Sequence, residues 1–68
     1  MKLVILDTCQ RVSKKGRPYF QAAFRSTNKA GQVWFGVATI PEDLFDFVGE
    51  IDRQVVFGSN GSIYVLPY

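Results

Sequence analysis

Histidine is absent from the sequence, and cysteine occurs once, at Cys9. Without histidine, neither a Ser-His nor a Cys-His nucleophile pair can be built, and the usual zinc ligand sets are excluded. Cys9 has no partner for an internal disulfide, which a secreted protein of this size would usually need. These absences argue against an enzyme and favour a reducing, cytoplasmic compartment. We expect Cys9 to be a small buried residue in or near the first strand.

Long apolar runs and phosphate-binding motifs are also missing. No stretch approaches the roughly 20 apolar residues that cross a bilayer, and Met1 to Leu6 is too short for a signal peptide. The segment Gly58–Gly61 lacks the Lys-Ser/Thr ending of a P-loop. Glu42, Asp43 and Asp46 could hold Mg²⁺, but solvated carboxylates at a helix start explain them better. We therefore expect no cofactor, no metal, no membrane and no small-molecule substrate.

What the chain has is a high apolar content and segregated charge. Its 68 residues, 47% hydrophobic and 15% aromatic, fit a single domain over residues 1–68 with a small, dense core. Residues 1–34 hold seven Lys and Arg against one carboxylate, a net +6, whereas residues 35–68 hold one cation against five carboxylates, a net −4. Such segregation favours a polyanion partner on one side, and an uneven solvated surface is the alternative.

Apolar patterning predicts five strands separated by turns. The strands are expected at Lys2–Thr8 (or as far as Val12), Tyr19–Ser26, Gln32–Thr39, Ile51–Phe57 and Ile63–Leu66. Turns rich in Gly, Asn, Ser or Pro are expected at Ser13–Pro18, Thr27–Gly31 and Gly58–Ser62. The last of them contains an Asn-Gly pair, the strongest short hairpin signal in the chain.

The segment after the third strand predicts a helix of two to three turns. Thr39 and Glu42 have capping-box spacing, with Thr39 as the N-cap, and Pro41 suits the first turn. Gly49 is a suitable C-terminal stop. An apolar stripe at helical spacing would face the core: Leu44, Phe47 and Val48.

Three strands, a helix and two further strands match an all-β, OB-like fold. This fold is a five-stranded, partly open Greek-key barrel, here with its one short helix between strands three and four. Closing the barrel removes sheet edges that so small a chain could not otherwise protect. An SH3-like barrel is the structural alternative, although it normally lacks a capped helix at this point.

Alternation along the second and third strands separates core residues from surface residues. In the second strand we expect an inward set, Phe20, Ala22 and Phe24, and an outward set, Tyr19, Gln21, Ala23 and Arg25. In the third strand we expect Val33, Phe35 and Val37 inward, with Trp34, Gly36 and Ala38 outward. A core Trp34 is the alternative, because a slip of one residue would bury it.

Basic residues interleaved with aromatic residues favour single-stranded nucleic acid. Cations follow the phosphates and rings stack on bases, each stacked base contributing roughly 1–3 kcal/mol. On an OB-fold the strand two and three face and its adjoining loops form the usual platform. The candidate binding residues are Arg11, Lys14, Lys15, Arg17, Tyr19, Gln21, Arg25, Lys29 and Trp34. They predict binding of single-stranded DNA without sequence preference, with RNA not distinguished.

A protein-interaction or inhibitor module is the alternative from another functional class. There Tyr19 and Trp34 would form a hot spot for a protein partner, with the surrounding cations helping recognition.

The segment Ser13–Tyr19 resembles the Gly-basic-Pro-Tyr hairpin of the single-stranded-DNA-binding proteins of filamentous phages. The ending Ile63–Pro67 is similar to their closing strand. The resemblance implies a short OB-like barrel that, as a homodimer in the host cytoplasm, coats single strands during replication. It also implies DNA contacts for Arg17 and Tyr19, and for Lys14 and Lys15. This chain is shorter than is usual for that family, its third strand carries Trp34, and its helix is better marked.

A weaker resemblance is to cold-shock domains. The segment Val33–Val37 falls where that family has an aromatic RNA-binding strand, but the Lys-Gly-Phe-Gly-Phe-type strand is not present.

Overall fold

The computed structural model describes residues 1–68 and consists mainly of one six-stranded mixed β-sheet. Its strands are β1 Lys2–Val12, β2 Pro18–Thr27, β3 Val33–Ile40, β4 Gly49–Asp52, β5 Val55–Phe57 and β6 Ile63–Val65. The order across the sheet is β4-β1-β2-β3-β6-β5, with β3 and β6 parallel and all other neighbours antiparallel. The predicted all-β class is confirmed, with six strands instead of five.

The β1–β2–β3 meander is held by two turns close to their predicted places. In the first turn Gly16 has a φ of 81° and donates its N–H to the Ser13 carbonyl at 2.9 Å. In the second, the Asn28 side-chain oxygen accepts N–H groups from Ala30 at 3.0 Å and Gln32 at 2.9 Å. Glycine suits the first turn because it adopts positive φ without a steric penalty, and asparagine suits the second because its side chain replaces a backbone acceptor.

A β-bulge divides β1 into two parts. The register with β2 shifts between Ile5 and Asp7, so Leu6 is the extra residue. Before the bulge, Lys2–Ile5 pairs with β4 on one side. Beyond it, Asp7–Val12 pairs with β2 alone. Beyond the bulge β1 is therefore an edge strand, and only Arg11–Val12 with Pro18–Tyr19 form a two-stranded ribbon.

The predicted fourth strand, Ile51–Phe57, is instead two strands at opposite edges of the sheet. Its first part lies in β4, which pairs with β1, and its second part is β5, which pairs with β6. Only Arg53 and Gln54 join them, and so short a link reaches about 10 Å. The two edges must therefore approach each other, which curls the sheet into a half-barrel. The link continues both ladders: the Met1 carbonyl accepts the Arg53 N–H at 3.2 Å, and the Gln54 carbonyl accepts the Leu66 N–H at 2.9 Å.

The predicted helix is wrong: the segment forms only one 3₁₀ turn, Glu42–Leu44. Thr39 cannot cap a helix because it remains in β3, opposite Gln21. Pro41, which precedes the turn, is extended (φ −70°, ψ 159°) and makes no side-chain cap.

Tertiary contacts explain why the segment does not continue as a helix. Of its apolar stripe only Leu44 is buried, while Phe47 and Val48 stay exposed. Asp46 has a φ of 65° and donates its N–H to the Thr8 hydroxyl at 2.9 Å. A left-handed residue ends a helix, and the bond to β1 fixes it there.

The core lies on one side of the curled sheet. It comprises nine buried residues: Leu3, Ile5, Ala22, Phe24, Ala38, Ile40, Leu44, Ile51 and Val65. The predicted inward face of β2 is confirmed, with Ala22 and Phe24 buried and Phe20 packed against the core. Burying these apolar side chains stabilises the fold by roughly 25 cal/mol for each Å² removed from water.

The predicted inward face of β3 is wrong. Val33, Phe35 and Val37 are 54%, 69% and 57% exposed, whereas Trp34 packs against the core and Ala38 is buried. Phe24 lies opposite Gly36, and a Cβ on Gly36 would stand only 2.8 Å from its ring.

The small residues of β3 therefore face the core because the large ring of Phe24 fills the space above Gly36. Trp34 completes this packing with an edge-on contact to Phe24, at a centroid distance of 5.2 Å and an interplanar angle of 83°.

The structure contains no helix with the length and apolar character that crossing a membrane requires.

Candidate nucleic-acid interface

The outer face, meaning the side of β1, β2 and β3 turned away from the core, carries four of the predicted site residues. Arg11 of β1 lies opposite Tyr19 of β2. Further along β2 come Gln21 and then Arg25, at alternate positions of the same face. Arg11 and Arg25 are exposed, and Tyr19 and Gln21 are half-buried. The predicted outward set of β2 is thus confirmed.

The remaining predicted cations lie in the two turns at the ends of β2. Lys14, Lys15 and Arg17 are exposed in the β1–β2 turn, and Lys29 is exposed in the β2–β3 turn. The ten residues of β2 separate these turns by roughly 30 Å. The cations therefore form an extended track with Arg11 and Arg25 between its ends.

None of these six cations makes a salt bridge. The molecule has two ion pairs: Arg53 with Asp43 at 2.7 Å, and the Met1 amino group with Asp52 at 3.2 Å. The single cation of the acidic half is thus neutralised, whereas the track is free to meet an anion. The hydrogen bond from Arg53 also holds the pKa of Asp43 below its ordinary value.

Trp34 does not join the other predicted site residues. The strand alternation predicts its ring on the outer face, and that orientation is wrong. The ring is half-buried on the core side, edge-on to Phe24. An indole fixed in this way supports β3 from beneath and is on the opposite side of the sheet from Tyr19.

Phe35 takes the outer position that Trp34 was expected to hold. It is 69% exposed and lies directly opposite Arg25 across the β2–β3 ladder. Val33 and Val37 flank it on the same face. An exposed ring beside an unpaired guanidinium is a suitable place for a base next to its phosphate. In the sequence, the signal that could have predicted this orientation is the pair of small residues on the other face of β3, Gly36 and Ala38.

Tyr64 adds a second exposed ring on the outer face. It pairs with Thr39 where β6 runs parallel to β3, so the two side chains lie on the same side of the sheet. Tyr64 is not among the predicted site residues.

A shallow hollow of about 190 Å³ lies on the outer face between β1 and β2. Arg11 and Gln21 border it, together with Asp7, Cys9 and Val37. Cys9 is exposed here, opposite Gln21, so the expectation that it is buried is wrong. Cys9 lies on the outer face because the bulge shifts the alternation of inward and outward side chains along β1. The small side chain of Ala23, at the foot of the hollow, leaves space between the strands.

No protein-family model, no curated protein and no solved structure matches the chain. Function is therefore inferred from the residues themselves and from their arrangement on the sheet.

Proposed function

We propose that this protein binds single-stranded DNA, without sequence preference, along the outer face and its two flanking turns. The observation that carries the proposal is the row of six exposed, unpaired cations along the outer face and its two flanking turns, with the exposed ring of Phe35 beside Arg25. Opposite charge follows the phosphates, and stacking requires no particular base.

The fold we propose is OB-like. Two features support it: the parallel pairing of β3 with β6, and the link of only two residues between β4 and β5. If β4 and β5 are one strand bent at Arg53 and Gln54, five strands remain in a partly open barrel. The outer face of β2 and β3 then corresponds to the usual OB platform, and the β1–β2 turn to one of its binding loops.

Each site residue has a distinct role in this proposal. The cations neutralise phosphates: Arg11, Lys14, Lys15, Arg17, Arg25 and Lys29. Tyr19 and Phe35 stack on bases, and Gln21 offers hydrogen bonds between them. Trp34 takes no base, and holds β3 in place through Phe24.

The hairpin Ser13–Tyr19, with its resemblance to that of filamentous-phage proteins, supports a role in coating and protecting strands during replication. We extend the proposal accordingly to a homodimer that acts in the cytoplasm of a host cell. RNA is the alternative ligand, since no 2′-hydroxyl contact is specified by these side chains.

Fluorescence anisotropy of a labelled oligo-dT, titrated at several salt concentrations, tests the proposal. With about four phosphates neutralised, the slope of log affinity against log salt should be near −3. A label on the oligonucleotide is preferable to Trp34 emission, because that ring is half-buried. Absence of both binding and salt dependence would remove nucleic acid as a ligand, and a matched RNA oligonucleotide would measure the preference between the two.

Charge reversal distinguishes a site from general attraction to a basic protein. Replacing Arg17 with Glu should weaken binding far more than replacing Arg53 with Glu, because Arg53 is paired with Asp43 and lies outside the track. Both variants change the net charge equally. Equal losses would mean that only net charge matters.

A protein-interaction or inhibitor module is the second candidate. The observation that favours it is the exposed apolar group Val33, Phe35 and Val37, since a protein hot spot needs a ring within an apolar surround. In this alternative Phe35 replaces Trp34 as the hot-spot ring, flanked by Val33 and Val37. Unchanged DNA retention after charge reversal in the β1–β2 turn, together with a protein partner bound through Phe35, would favour it over nucleic acid.

A further inference from the structure

The β3 edge, defined as Val33–Val37 on the side away from β2, has no strand partner. β6 pairs with β3 only at Thr39, opposite Tyr64. None of the backbone hydrogen bonds made by turns and loops reaches the edge either. An unpaired edge presents a row of N–H and C=O groups that match another strand.

The other edges of the sheet are protected. β1 beyond Ile5 carries the bulge at Leu6 and the charges of Asp7 and Arg11. The Thr8 hydroxyl on the same stretch already accepts the Asp46 N–H. The two end strands are short, with four residues in β4 and three in β5. Bulges, charges and short length are the usual devices against edge pairing, and the β3 edge has none of them.

The β3 edge is also self-complementary. On the outer face it reads Val33, Phe35 and Val37, which is the same in both directions. In an antiparallel pair centred on Phe35, each Phe35 would meet its counterpart, and each Val33 would meet a Val37. Trp34 would meet Gly36, so a large side chain would again lie opposite a small one. A two-fold axis requires this kind of match between identical patches.

Electrostatic repulsion does not oppose the pairing of two β3 edges. The nearest cation on the outer face is Arg25, one strand in from the edge. Across a two-fold pair the two Arg25 residues would be three strand spacings apart, roughly 14 Å. That separation exceeds the screening length of about 8 Å at physiological salt. The acidic residues of the second half of the chain are not on this edge.

We propose that two copies of this chain pair antiparallel through the β3 edge, with Phe35 on the two-fold axis. The two outer faces then join into one continuous surface with the two Phe35 rings at its centre. Because five residues on each side make an interface below the standard size, the dimer should be weak and dependent on concentration. It forms through backbone groups and so does not require nucleic acid.

Sedimentation velocity of the protein alone, from micromolar to millimolar concentration, tests the dimer and its register. Wild type should shift from monomer to dimer. V33K/V37K would place like charges opposite each other at both outer pairs, whereas V33K/V37E would place opposite charges there. The two variants lose the same apolar side chains, and within one chain positions 33 and 37 are roughly 13 Å apart. The first should dimerise at least about tenfold more weakly than the second.

A cross-link in a Cys9→Ser background tests the same register independently. C9S/F35C should form a disulfide-linked dimer on mild oxidation, because directly opposed residues lie within disulfide reach. C9S/V37C is the matched control and should not, since its counterpart would be four residues out of register. A wild type that stays monomeric, two lysine variants that dimerise with equal affinity, or no selective cross-link at position 35 would each overturn the proposal. If both lysine variants are monomeric, the cross-link decides. DNA binding by a monomer would leave the proposed binding of single-stranded DNA intact and would remove only the homodimer from the proposed function.

Discussion

Replacing Gly36 with alanine should destabilise the protein, although glycine-to-alanine changes in a strand usually help. Gly36 does not have positive φ, so its backbone accepts alanine without strain. Reduced freedom of the unfolded chain would by itself stabilise by about 0.4–1 kcal/mol. The new methyl group, however, would stand 2.8 Å from the Phe24 ring tip and 3.4 Å from the Trp34 ring.

The contact with Phe24 decides the sign of the effect. Phe24 is 1% exposed, and its ring contacts Trp34 edge-on, so it has little room to move. Overpacking of a core costs roughly 1–3 kcal/mol, which exceeds the entropic gain. We therefore expect G36A to lose about 1–2 kcal/mol net, an estimate that combines the overpacking and backbone contributions. For a domain of this size each kcal/mol lowers Tm by about 4–8 °C.

Urea unfolding of G36A, F24L and the double variant measures this coupling. F24L alone should destabilise by opening a cavity, but in its presence the alanine at position 36 should cost little or nothing. G16A is the contrast. Its φ is 81° and a Cβ there would meet nothing within 4 Å, so its cost is purely conformational and F24L should not relieve it.

One outcome would refute the assignment of the two faces of β3. If G36A is as stable as wild type, Gly36 does not lie beneath Phe24. In that case Phe35 would not face outward, and the stacking role proposed for it would have to be withdrawn.

Three further predictions concern binding and pH. F35A should weaken oligo-dT binding about 5- to 150-fold in anisotropy titrations, the equivalent of one lost stacked base, whereas W34F should bind nearly as wild type. The reverse ranking would identify Trp34 as the stacking ring. R17A should reduce the salt slope by about one, and an unchanged slope would remove Arg17 from the phosphate contacts. Because Arg53 lowers the pKa of Asp43, their contact should stabilise the fold above pH 3.8 and fade as pH falls through the lowered folded-state pKa. D43N should therefore lower the urea midpoint slightly near neutral pH and not in acid, and a pH-independent difference would contradict this.

The inward and outward faces of β2 could be predicted because they differ in polarity. Tyr19, Gln21 and Arg25 alternate with Phe20 and Phe24, so one assignment is clearly better. In β3 both sets are apolar, and the larger summed hydrophobicity of one set favoured the wrong face. The size match between Phe24 and Gly36 decides which face of β3 turns toward the core. This match depends on the register between the strands. That register is a tertiary property, and one sequence does not specify it.

The predictions of the helix and of the fourth strand were wrong for a related reason. Capping and turn signals are local, and those around Thr39 are satisfied equally well by a strand end followed by one 3₁₀ turn. The apolar run from Ile51 to Phe57 has strand character throughout. Its division at Arg53 and Gln54 follows from the curl of the sheet, which brings the two edges within reach of one link. The positions of the basic turns, by contrast, follow from Gly16 and Asn28 and could be predicted.

The bulge at Leu6 has a consequence for how the molecule fluctuates. Amides of Lys2–Ile5 lie between β2 and β4 and next to the core, so they should be among the slowest to exchange with deuterium. Amides of Asp7–Val12 lie on an edge strand that pairs with β2 alone and ends in the two-stranded ribbon, so they should exchange faster. The ribbon carries Arg11 and leads to the turn with Lys14, Lys15 and Arg17. In the proposed function, this basic arm opens and adapts to an irregular strand of nucleic acid while the half-barrel that carries it stays folded.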